Sequence, residues 1–213
     1  MLELLAKIVA LGIGSTLSPG LLAVTLALLA GKSHQLRRSL AFLAGGIVVA
    51  GIVILGSHLI FSALGSAKPT SLAYADFAIG GLLVLFGIFS LLVKEKEPKP
   101  GAQAGAGALR WFAISFALNI TNFDAVFLLL TESKEIAQSE ALLAYRLALY
   151  VLGALFFTLP CWLPIGVYVA MPEKAQKVLA PLGGVMKKYG KWLAALIFFG
   201  FGAYLISKGI GSL

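Results

Sequence analysis

An aspartate stands in the middle of an apolar run. Residues 116–130 set Asn119, Thr121, Asn122 and Asp124 among Phe, Leu, Ile, Val and Ala. An ionised Asp at the centre of a membrane helix costs roughly 2.5–3.5 kcal/mol on insertion scales. Asp124 is therefore expected to face a bundle interior, carry a proton or hold a partner. The chemistry on offer is binding of a proton or cation, with amide and hydroxyl groups beside it. Two plainer readings stay open: a structural hydrogen bond or ion pair, and a helix that starts late and leaves Asp124 near the headgroups.

A second interruption falls in residues 12–28, where Pro19 follows Ser15, Thr16 and Ser18 and precedes Gly20. Proline removes a backbone donor and clashes with the carbonyl four residues earlier. An opened turn there exposes carbonyls and a half-helix N-terminus able to hold an ion or a polar group. The alternative is a plain kink patched by the serines. Ser18, Pro19, Gly20, Asn119, Thr121, Asn122 and Asp124 form the expected substrate or ion site. Arg38 and Arg146 begin two apolar runs. They either snorkel to lipid phosphates or gate the two mouths of a pathway.

Other chemistry is not indicated. His34 and His58 are far apart, and no Cys/His spacing suggests a metal site. The single Cys161 excludes an intramolecular disulfide and reads as a small buried residue. Glu132, Lys134, Glu135 and Glu140 read as a solvated, mainly acidic outer turn. Gly45, Gly46, Gly80, Gly81, Gly87, Gly200 and Gly202 read as helix-packing positions. No phosphate loop, catalytic triad or zinc-protease motif is present. The chain is expected not to be an enzyme and to need no cofactor beyond a coupling proton or cation.

These residues need elements that cross a membrane. The 213-residue chain is 60% hydrophobic and 12% charged, against about 25% charged in soluble domains. The expected fold is an all-α integral membrane protein. About 20 apolar residues span the hydrocarbon as a helix, and six segments qualify: 8–30, 39–64, 73–93, 109–131, 142–171 and 192–207. The fifth contains Pro160 and Pro164 and is expected to kink. Glu3 precedes Lys7 and no small-x-small cleavage site follows, so the first segment is expected to be retained. The net charge of +8 sits at the ends of apolar runs, which does not point to nucleic acid. Twelve Lys and Arg lie on the side of Arg37, Lys94 and Lys174, and five on the other. Positive-inside bias puts the first side in the cytoplasm, with both termini outside a cytoplasmic membrane.

The two halves also look alike. Residues 1–93 and 109–213 each hold three segments, joined by a cytoplasmic linker at 94–108 within one membrane domain. Ser18-Pro19-Gly20 overlays Thr121-Asn122-Phe123. Arg38 overlays Arg146, Gly45 overlays Gly153, Tyr74 overlays Tyr189, Phe77 overlays Trp192 and Gly87 overlays Gly202. Asp76 and Lys191 fall on equivalent positions and are expected to lie on opposite sides. Three helices per half is an odd number, so the halves must insert in opposite orientations. That is the inverted-repeat plan of many secondary transporters, whose site lies at the midplane between interrupted helices.

On these motifs the chain resembles the lysine-exporter (LysE-type) superfamily. The likeness lies in size, in six helices as 3+3, in the early Pro-Gly break and in the Asn-rich break of the fourth segment. The branch it resembles most is that of the glycopeptidolipid- or sulfolipid-addressing (GAP/Sap) proteins. The resemblance implies a secondary transporter that exports a small or amphipathic solute by alternating access. Its amino-acid exporters carry Asn-Pro-Lys where this chain has Asn122, Phe123 and Asp124. A cation that would meet a substrate carboxylate is thus replaced by an acid, which argues against simple amino-acid export. A cationic substrate, a proton-coupled step and a lipid all stay open. The competing expectation is a lipid-handling factor without ion coupling. Expected partners are membrane lipids and a small-molecule or lipid substrate, and the glycine faces also permit a homodimer.

Overall fold

A computed structural model describes residues 1–31, 34–65, 69–92 and 107–211, and all regular structure among them is helical. The helices are α1 (Leu2–Ser15), α2 (Pro19–Leu29), α3 (Gln35–Gly65), α4 (Pro69–Leu92), α5 (Ala108–Ile120), α6 (Phe123–Ala137), α7 (Leu143–Ala170) and α8 (Ala175–Gly211). Up to residue 106 the expected linker lies outside the described residues. So do Lys32 and Lys68 of the charge count, and of Lys187 and Lys191 only the backbone is described.

Both expected interruptions are real bends. α1 and α2 meet at 63°, and α5 and α6 at 72°. At the first, Pro19 takes the opening position of α2, where its missing N–H costs nothing. Ser15 Oγ and Thr16 Oγ1 donate back to the carbonyls of Gly12 (2.8 Å) and Ile13 (2.7 Å), adding to the Thr16 N–H that these last acceptors of α1 share. At the second there is no proline. Thr121 Oγ1 donates to the Ala117 carbonyl (2.7 Å), and the Asn122 N–H closes a tight turn onto Asn119 (3.2 Å). Leu17 closes the same kind of turn onto Gly14 (3.1 Å).

Three helices are long and apolar enough to cross a membrane: Gln35–Ala63, Leu143–Ala170 and Lys188–Gly211. Counting each bent pair as one span makes five, and α4 adds a shorter apolar stretch, Ala73–Phe89. α7 is one continuous helix through Pro160 and Pro164. α8 begins well before the expected residue 192. Apolar side chains cover the outside: α3 exposes Leu40, Ile47, Ile52, Leu55 and Leu59, while Phe42, Val49 and Ala50 face inward. This is the distribution of a multi-pass membrane protein, whose solvent is itself apolar.

The packing partners are antiparallel. Early Phe42 of α3 shares a cluster with late Cys161 of α7, and His58 meets Tyr150. Gly80 and Gly202 bring α4 and α8 so close that a Cβ on either would lie 2.9 Å from the other's carbonyl. Gly45 does the same for α3 and α5, where a Cβ would lie 2.5 Å from the Phe112 carbonyl. Gly46 and Gly87 are also packing positions, whereas Gly81 and Gly200 face open space.

Candidate functional site

Two half-helices restart in the interior, and their N-caps touch. Ser18 caps α2 and Asn122 caps α6. Asn122 Nδ2 donates to Ser18 Oγ at 3.2 Å, across 104 residues of chain. The two breaks therefore pair Ser18 with Asn122, one residue away from the overlay expected from the sequence. Each helix start carries about half a positive charge on free N–H groups. Neither cap residue turns its side chain onto its own helix.

The two ends differ in what answers that charge. Asp124 is half-buried in the first turn of α6, with its carboxyl against the N–H groups of Asp124 and Ala125. α2 has no acid in its first turn. Beside it Gly20 has nothing within 4 Å of where a Cβ would sit. Among the described residues, no acid answers the charge of the α2 end.

The remaining expected residues do not gather there. Asn119 is fully buried, and its Nδ2 donates to the Ser115 carbonyl (2.9 Å) and Oγ (3.1 Å). It packs on Gly46 of α3, leaving its Oδ1 without a partner among the described residues. Thr121 is exposed and bonded to its own helix. Arg38 is half-buried near the start of α3 and makes no ion pair among the described residues. Arg146 lies at the opposite end of the bundle, near the start of α7. Its Nη2 donates to the Ala137 carbonyl at the end of α6 (3.2 Å), tying α7 to α6. No group of three or more potential metal ligands occurs among the described residues.

The reading of Glu132, Lys134 and Glu135 as a solvated turn is overturned. α6 runs on to Ala137, and all three are buried. Lys134 pairs with Asp76 of α4. Glu135 meets Lys208 of α8 at 2.9 Å and Lys7 of α1 at 3.7 Å. Lys7 also reaches Glu3 (3.0 Å) and the Tyr204 hydroxyl (2.7 Å). One charged cluster thus closes α1, α4, α6 and α8 together at the end of the bundle where α6 finishes. One signal for it was present: Ala125, Leu128, Leu129, Glu132 and Ile136 keep the spacing of one buried helix face. The partners are remote in sequence and carry no such signal.

A family model described as Sap, sulfolipid-1-addressing protein, matches residues 8–211. No curated protein and no solved structure matches the chain.

Proposed function

The chain belongs to the Sap, sulfolipid-1-addressing protein family, and from that premise we propose that it moves an amphipathic, lipid-like solute across the membrane by alternating access. The site in this reading is the junction of the two breaks. The observation that carries it is the hydrogen bond between the N-caps of α2 and α6. A plain kink needs no partner, whereas two restarts that meet create a polar point inside an apolar bundle.

The N-terminus of α2, with Ser18, Pro19 and Gly20, would receive the solute's polar or anionic head. Asp124 offsets the charge of the α6 end, so the junction is not a strong anion trap and can release what it binds. The chain forms a single membrane domain of two three-helix halves inserted in opposite senses. Support for this comes from the antiparallel packing of α3 on α7 and of α4 on α8. The charged cluster closes one end of the pathway and would have to part for the other state to form. In this reading Arg38, at the other end of the bundle, would meet lipid phosphate. The chemistry is transfer without bond-making, and the lysine-exporter likeness fits the same plan.

The second reading, lipid placement without ion coupling, draws on the same family membership. Reconstituted vesicles separate the two. Amino acids, divalent cations and fluorescent anionic lipid analogues are followed across the bilayer with and without a pH gradient. The transporter reading expects gradient-driven movement of one of them. It expects a loss of about tenfold in Asn122→Ala, the scale of one hydrogen bond, and a comparable loss in Asp124→Asn. Lipid movement indifferent to the gradient and to both substitutions would favour the second reading.

A further inference from the structure

Glu132 is the one carboxylate of the described residues that is fully buried with neither oxygen hydrogen-bonded or ion-paired. It sits on α6 between two apolar clusters. One is formed around Leu129 and Phe157, and the other around Ile136 and Leu149. Its Oε2 fills the space above Gly153 of α7, where any Cβ would collide with it. The niche is thus fitted to this side chain: a glycine on one helix makes room for a carboxyl on the next.

The charged and titratable groups of the surrounding elements are taken up elsewhere. Lys7 of α1 is held by Glu3, Glu135 and Tyr204. His58 of α3 meets Tyr150 of α7 at 3.0 Å. Arg146 of α7 donates through Nη2 to the Ala137 carbonyl and makes no ion pair with Glu132, though its buried Nε has no partner among the described residues. Tyr145 donates to the Met1 carbonyl. Asp76 of α4 pairs with Lys134 of α6 itself. Asp124 lies two turns away at the start of α6, and Arg37, Arg38 and Arg110 stand near the far ends of α3 and α5. A carboxylate with no cation and no donor in an apolar niche is strongly disfavoured, and a neutral acid is not.

We propose that Glu132 is a proton-binding site, holding its proton in this closed arrangement and giving it up when the charged cluster beside it parts. Release is a plain transfer: the carboxyl O–H breaks, the proton passes to an entering water as hydronium, and the carboxylate keeps the electron pair. Lys134 and Glu135 follow Glu132 on the same helix. Any movement of α6 that breaks their pairs with Asp76, Lys7 and Lys208 therefore brings water toward Glu132. The bound proton stands independently of the transport reading, and its coupling role rests on that reading.

Infrared spectroscopy of the full-length protein at neutral pH tests the bound proton without any transport. The wild type is expected to show the carbonyl stretch of a protonated carboxylic acid, shifted in heavy water. The band should vanish in Glu132→Gln and persist in Asp76→Asn and Asp124→Asn. Gly153→Ala, which crowds the niche, should shift it, and this arm serves if Glu132→Gln does not fold. No such band in the wild type, or its survival in Glu132→Gln, overturns the site. In vesicles, Glu132→Gln should abolish the effect of a pH gradient on movement of an anionic lipid analogue while gradient-free exchange continues. Exchange with no gradient effect in the wild type overturns the coupling role alone. A band present with no movement of any solute would leave the proton site standing and sink the transport reading.

Discussion

Lys134 and Asp76 show what a charged residue costs inside this molecule. Both are almost fully enclosed, and each is the other's counter-ion. Taking ions out of water is expensive, so the pair gains little over apolar residues, but breaking it strands a buried charge. Lys134→Met is therefore expected to destabilise the protein by about 3–5 kcal/mol. The double substitution Lys134→Met with Asp76→Leu should recover most of that loss. Denaturant titration in detergent micelles reads both. Equal damage by the single and the double variant would mean that the pair is not the source of the effect. Asp124 presents a different case. It stood out in the sequence as an acid in an apolar run, and it does lie at a break. Its carboxyl answers the free N–H groups of α6, a local duty that a linear sequence shows well. Glu132 did not stand out, because the charges after it made the segment look like a loop.

At the scale of elements, the bends were legible and the extent of the helices was not. Pro19, Gly20 and the run of Ser and Thr mark the first break by chemistry that acts on the backbone within one turn. Thr121 and Asn122 mark the second more faintly, since no proline enforces it. The continuation of α6 shows in the spacing of Leu128, Leu129, Glu132 and Ile136, but the partners that accept its charges on α1, α4 and α8 are remote in sequence and leave no such trace. The glycines divide in the same way. Their spacing suggested packing throughout, yet only some meet a neighbouring helix. Gly202→Ala and Gly45→Ala each push a Cβ into a carbonyl and should cost about 1–3 kcal/mol as overpacking. Gly20→Ala meets nothing within 4 Å and should be neutral or stabilise by about 0.4–1 kcal/mol, through the unfolded chain. Thermal unfolding of the three variants in one detergent makes the comparison. Equal destabilisation at all three positions would contradict this account of the helix contacts.

For the whole molecule, an apolar exterior encloses a narrow line of polar groups. Along α6 that line runs from the Ser18–Asn122 junction, past Glu132, to the cluster of Lys7, Glu135 and Lys208. The two ends of the bundle are unlike: one is closed by charges, and the other by the apolar cluster of Leu21, Val24, Leu28, Phe42 and Cys161. Alternating access requires the junction between them to be reached from each side in turn. The direct test places a thiol at the junction, as Asn122→Cys with Cys161→Ser, and treats sealed vesicles with a membrane-impermeant thiol reagent from one face and then from the other. The transport account predicts modification from both faces, slowed when an anionic lipid analogue is present. Protection from both faces would make the junction a structural contact and contradict the account.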